Sequence, residues 1–166
     1  MLKKIRWKKH LLSIALFMLI FLLIRTYQLN DYATGPAPAF SATSIEGNIV
    51  NQSLLDNRPV LIYFWATWCP ICKYHKQTIE DLSQDYRVIT VASWSEDINE
   101  VRNYFSDTEL RKMTLYDPDG VLAKRYGISA VPSFFILDEK GDIRFIERGF
   151  TSSMGLRLRL FITKYL

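Results

Sequence analysis

Two cysteines carry the most evident chemistry in this sequence. They stand in the block Trp68-Cys69-Pro70-Ile71-Cys72, and the 166-residue chain has no others. A spacing of i, i+3 on a helical turn puts both sulfurs on one face, within the Cα separation that a disulfide can bridge. If a helix begins at the first of them, Cys69 sits beside unpaired N–H groups and the positive end of the helix dipole, which favour a thiolate. Lowering a thiol pKa from about 8.5 to about 7 raises the thiolate fraction at neutral pH from roughly 3% to roughly 50%. Pro70 suits a first turn, where its missing N–H has no partner to lose. Cys72, one turn deeper, is then the resolving thiol. The pattern points to thiol–disulfide exchange.

Other uses of the pair fit less well. A purely structural disulfide across four residues closes almost no loop and stabilises little. Zinc wants about four ligands, and the only histidines are His10, in a basic tail, and His75. Haem attachment needs a His after the second Cys, and that position is Lys73. Two-coordinate copper(I) stays open on grounds of ligand softness. The expectation is no metal and no cofactor beyond the redox-active disulfide itself.

The elements that would hold such a pair can be read from pattern. Residues 60–65, Val-Leu-Ile-Tyr-Phe-Trp, form an unbroken apolar run of strand length, suited to a central strand buried on both faces. A helix is expected over 70–82, a second buried strand over 87–92, and a helix over 97–105 with Asp97 as its cap. Asp117-Pro118-Asp119-Gly120 reads as a turn, followed by a short helix over 121–126 that Gly127 ends. Strands at 133–137 and 143–146 form a hairpin, and 155–166 closes the chain as an amphipathic helix. A smaller hairpin joins 40–43 to 48–50 through Glu46-Gly47. The sum is α/β, with a mixed central sheet flanked by helices. Ala130-Val131-Pro132-Ser133 sits at the entry to the third long strand.

Charge is distributed unevenly. The net of +4 arises from six basic residues in the first thirty, Lys3, Lys4, Arg6, Lys8, Lys9 and Arg25, with no acid among them. The remainder is slightly acidic and has no basic run, which excludes a nucleic-acid surface. Leu11 to Ile24 then form an uncharged apolar stretch directly behind five of those basic residues. Such a layout marks an export signal or an anchor. As helix it spans only about 21 Å, short of the roughly 30 Å hydrocarbon core. No small-residue cleavage site follows closely, since Arg25-Thr26-Tyr27-Gln28-Leu29 comes next. A retained N-terminal transmembrane helix is therefore expected, its mismatch covered by snorkelling and by the flanks Trp7, His10, Arg25 and Tyr27. The basic bias sets the N-terminus in the cytoplasm and the rest outside a bacterial inner membrane, in the periplasm, where disulfides persist. The expected organisation is 1–29 basic segment and anchor, 30–38 linker with Gly35-Pro36-Ala37-Pro38, and 39–166 the folded domain.

Residues 36–166 resemble the thioredoxin superfamily, in its membrane-anchored TlpA-like branch, and are similar to the suppressor-for-copper-sensitivity D group. The blocks Phe64-Trp65-Ala66-Thr67-Trp68-Cys69-Pro70-Ile71-Cys72 and Gly127-Ile128-Ser129-Ala130-Val131-Pro132-Ser133-Phe134 carry the likeness, with the tail from Gly149 to Leu160. The resemblance implies a thioredoxin-like fold. It implies that Pro132 is cis and faces the cysteines, and that Val131 offers its backbone to an extended substrate segment. It also implies action on periplasmic protein thiols and disulfides, with a membrane electron-donor protein recharging the pair. Trp68, Pro70 and Ile71 would shape the contact with a partner; Trp65 reads as core, and Trp94 as either packing or function.

Two positions depart from relatives. Thioredoxins carry a buried Asp six residues before the first Cys, where this chain has Tyr63. Some relatives place a Glu three residues after the second Cys; here that residue is His75. His75 is a candidate proton-transfer helper for Cys72, one helical turn away, or else a solvated helix residue. The uncharged Pro70-Ile71 dipeptide, like the resemblance, favours a reductase over a disulfide-forming oxidase, and a copper(I)-binding module is the remaining alternative.

Overall fold

The computed structural model describes residues 2–29, 32–51, 53 and 58–165, and the chain divides into two units, Met1–Tyr32 and Ala33–Leu166. The first unit is one helix, α1 (Leu2–Leu29). Its described side chains, Trp7 and those of 10–23, are all exposed. Among the described residues no helix is long and apolar enough to cross a membrane. The expected transmembrane segment is thus seen as a helix but not as a span, in keeping with its short apolar run.

The second unit is built on a six-stranded sheet. Its centre is β4 (Val60–Trp65), all six residues of which are buried. β4 runs parallel to β5 (Arg87–Ser93) on one side and antiparallel to β7 (Ser133–Leu137) on the other. Beyond β5 lies β6 (Thr114–Asp117), parallel to it; beyond β7 lies β8 (Asp142–Arg148), antiparallel. The two-residue β1 (Gly35–Pro36) pairs with β8 and completes the order β1-β8-β7-β4-β5-β6. A separate hairpin of β2 (Ser41–Thr43) and β3 (Ile49–Asn51) reaches the far side of the sheet, where Ser44 bridges Leu115 and the Ile45 N–H donates to Thr114 O at 2.9 Å.

Alternation along β4 explains why a continuous apolar run was required. Leu61, Tyr63 and Trp65 join one core with Ile79, Leu82, Phe105, Leu156 and Leu160. Phe64, on the opposite face, packs against Tyr126 and Phe135. The first core is supplied by α2 (Pro70–Asp85), α3 (Ile98–Arg102), α4 (Thr108–Lys112) and α6 (Ser153–Thr163); α5 (Val121–Arg125) follows β6. The expected mixed-sheet α/β fold is the one present.

Three local expectations change. The helix read over 97–105 stops at Arg102, and a second one, capped by Asp107 through bonds to the Glu109 and Leu110 N–H groups, follows it. Phe105, between the two helices, is buried in the core beside Val101 and Leu110. β6 is a strand that pattern did not reveal, being only four residues long. The segment read as a linker is largely inside the fold: Gly35 and Pro36 form an edge strand, Ala37 is buried, and the Ala33 and Ala37 N–H groups donate to Tyr126 O and Gly141 O. Proline suits an edge, where its missing N–H costs no ladder bond. Compact structure therefore begins at Ala33 rather than at residue 39. Residues 30 and 31 of the expected linker and Leu166 of the closing helix lie outside the described residues.

Candidate active site

The site forms where β4 passes into α2. Cys69 is the N-cap of that helix: its backbone is extended (φ −81°, ψ 112°) and its Sγ accepts the Cys72 N–H at 3.2 Å, while Pro70 occupies the first turn. An N-cap acceptor is the position at which a helix best stabilises negative charge on sulfur. Cys69 and Cys72 are bonded as a disulfide, with Cα atoms 5.3 Å apart. Cys69 keeps 3% exposure and Cys72 none, so only the first sulfur can be approached from outside.

Around Cys69 the surface is apolar and open. Trp68 is 60% exposed and Ile71 42%. On the other flank the Val131–Pro132 bond is cis, and Cys69 Sγ lies 3.8 Å from Val131 O. Pro132 is buried and held in place, its carbonyl accepting the Gly149 N–H at 2.9 Å. Residues Cys69, Pro70, Ile71, Cys72, Trp68, Val131 and Pro132, with Cys69 and Val131 62 positions apart in sequence, are thus gathered at one end of the sheet. Two bonds fix the loop that leads into the site: the Thr67 N–H donates to Ser95 Oγ at 3.1 Å, and the Trp68 indole N–H donates to Trp94 O at 2.7 Å. Ser95 carried no sequence signal, since nothing in its neighbourhood marks a serine that meets the 66–68 loop.

His75 is 2% exposed, and is not the solvated helix residue of one sequence reading. Its Nδ1 lies 3.0 Å from Ile71 O, and its Nε2 lies 3.0 Å from Thr151 O and accepts the Thr151 N–H at 3.2 Å. With Nδ1–H donating to Ile71 O and Nε2 accepting the Thr151 N–H, two of these three contacts are hydrogen bonds, and Thr151 O is a close neighbour of Nε2. The ring also meets Phe134 edge-on and Phe150. It therefore ties α2 to the turn that precedes α6. Trp65 is core, as read, and stacks within 3.9 Å of Tyr104.

Below the pair, Tyr63 fills the place of the usual carboxylate. It is wholly buried, stacks on Phe134 at 4.9 Å, and its hydroxyl has no hydrogen-bond partner. Burial, with a smaller contribution from Tyr104, raises its pKa well above that of an ordinary phenol. The buried carboxylates among the described residues, Asp117 and Asp138, are committed elsewhere. Asp117 holds the Leu122 and Ala123 N–H groups and Ser93 Oγ, and Asp138 braces the β7–β8 hairpin. Among the described residues no cluster of three or more His, Cys, Asp or Glu is arranged to hold a metal ion.

The AhpC/TSA family model matches residues 33–146, a stretch that contains both cysteines and Val131-Pro132. The chain belongs to the AhpC/TSA family. It is 36% identical over 123 residues to a thioredoxin-like protein of Haemophilus influenzae, covering 73% of each chain. It is 33% identical over 126 residues to the thiol:disulfide interchange protein DsbE of Yersinia pestis, spanning 69% of this chain and 63% of that one. Its fold is that of the exposed lipoprotein thioredoxin of Streptococcus pneumoniae strain TIGR4, with a TM-score of 0.65 at 22% identity over 75% of this chain and 99% of the other. Family, fold and bonded pair together make this AhpC/TSA chain a thiol–disulfide oxidoreductase.

Proposed function

We propose that the protein reduces disulfides of exported proteins from a tether in a bacterial inner membrane. The observation that carries this reading is the asymmetry of the pair: Cys69 caps a helix and retains a small exposure of 3%, while Cys72 has none. Cys69 thiolate attacks a partner disulfide, a mixed disulfide forms, and Cys72 displaces the partner as the pair becomes the disulfide. Trp68, Pro70 and Ile71 supply an apolar contact, and Val131 presents backbone to an extended segment of the partner. His75 acts as a strut, since a proton-transfer role would require its ring to release Ile71 or Thr151.

Direction and address rest on further observations. The dipeptide between the cysteines, Pro70-Ile71, has no charge to stabilise the Cys69 thiolate strongly, which favours a reductant. Such a reductant needs a membrane electron donor to recharge it against an oxidising compartment. The N-terminal helix exposes every described apolar side chain from Leu11 to Leu23, a surface that water does not accommodate and lipid does. Its basic flank sets the domain outside, in the periplasm.

The test is the potential of the pair against a glutathione series, with an insulin-reduction assay. A value near about −270 mV with insulin turnover supports the reductase, and one near about −120 mV would replace it with an oxidase. Cys69→Ser is expected to abolish exchange, and Cys72→Ser to accumulate mixed disulfides with the natural partner. Copper(I) uptake by the reduced protein with no disulfide turnover would replace the redox reading altogether.

A further inference from the structure

We propose that Trp94 is a positioning residue for partner capture, holding the Trp68 indole as a fixed apolar plate beside Cys69. The proposal rests on the exchange reading above. Trp94 is the one non-glycine among the described residues with a positive φ, at 54°. A bulky side chain in the left-handed region is strained and persists only when its surroundings impose it. Here they do. The Trp94 N–H donates to Asp117 O at 3.0 Å, and the Tyr116 hydroxyl donates to Glu96 O at 2.7 Å. The indole lies against the bare Cα of Gly120, where any Cβ would overlap it. Ser95, the next residue, accepts the Thr67 N–H.

The consequence falls on the site. In this conformation the Trp94 carbonyl receives the Trp68 indole N–H at 2.7 Å. The polar edge of Trp68 is thereby spent on the protein, and the ring, still 60% exposed, presents carbon to a partner. An indole pinned in this way loses little further freedom on binding, which favours association without touching sulfur chemistry. The partner that fits is an extended polypeptide with an apolar side chain next to its disulfide cysteine.

Three variants test this, using insulin as substrate and the alkylation of reduced Cys69 by iodoacetamide as a probe of the thiol alone. Trp68→Phe removes the indole donor together with part of the apolar plate and is expected to raise KM roughly three- to tenfold, with kcat and alkylation rate held. Trp94→Ala is expected to do the same by letting the turn relax. Trp94→Gly, which adopts the left-handed backbone without strain, is expected to recover much of that loss. An unchanged KM in Trp68→Phe overturns the proposal, as does an equal KM rise in the Ala and Gly variants. Alkylation slowing in step with KM also overturns it, by making the effect one on the thiol. If the wild-type protein turns over no disulfide at all, the exchange reading falls and takes this proposal with it.

Discussion

Beneath the cysteine pair lies a phenol that bonds to nothing. An unsatisfied buried hydroxyl carries its desolvation cost with no return. Tyr63→Phe is therefore expected to stabilise the domain by up to about 1 kcal/mol, measured by urea unfolding, with exchange rates unchanged. Neighbouring Tyr104 is pushed up to about 12, by burial first and then by Glu80, so neither phenol supplies a charge at neutral pH. The absent carboxylate was legible from Tyr63 alone; its unpaired state was not, because bonding depends on what the fold brings near. His75 shows the same limit. Sequence placed it one turn from Cys72, but its partner Thr151 lies 76 residues away. His75→Ala is expected to cost about 1–3 kcal/mol, through the lost ties and the void beside Phe134. The pH profile of Cys69 alkylation should keep its shape; a displaced profile would restore the proton-transfer role.

At the scale of elements, the β7–β8 hairpin depends on one carboxylate. Asp138 accepts the Lys140 and Asp142 N–H groups at 2.9 and 3.0 Å and Arg144 Nε at 2.7 Å. Burial alone would raise its pKa, but these bonds and the guanidinium outweigh it and hold the pKa below the ordinary value. A folded pKa below the unfolded one makes the unfolded chain the better proton binder. Its stabilisation is thus present above the unfolded value of about 3.9 and lost as pH falls through the folded one. Asp138→Asn is expected to lower stability at neutral pH and to flatten the acid limb of a stability–pH curve. An acid limb as steep as in the wild type would refute this. The hairpin itself was legible, because Asp138-Glu139-Lys140-Gly141-Asp142 separates two clear apolar runs. β6 and α4 were not, since four or five residues of mixed character carry too little periodicity to separate from loop.

For the whole molecule, the two units make separable claims. Removing residues 1–31 is expected to release the protein from membranes and leave the unfolding midpoint of the domain unchanged. Removing residues 1–38 should lower that midpoint, because it deletes the Gly35–Pro36 pairing with β8 and the buried Ala37. Sedimentation with vesicles and thermal unfolding check the two halves. The Pro-rich composition of that segment looked like a spacer because composition reports local flexibility, whereas its role is fixed by β8, more than a hundred residues later.

That short strand also bears on how the protein survives at high concentration. An open sheet offers two rows of unpaired backbone groups on which a second molecule can template itself. Here one row ends in a two-residue strand containing a proline, and the other is met by the Ser44–Leu115 bridge and the Ile45–Thr114 bond. Each border is thus partly covered, at Asp142 and Ile143 on one side and at Thr114 and Leu115 on the other. If its substrates are protein disulfides, as proposed, such covers reduce the edge that an extended polypeptide could join beside the active site.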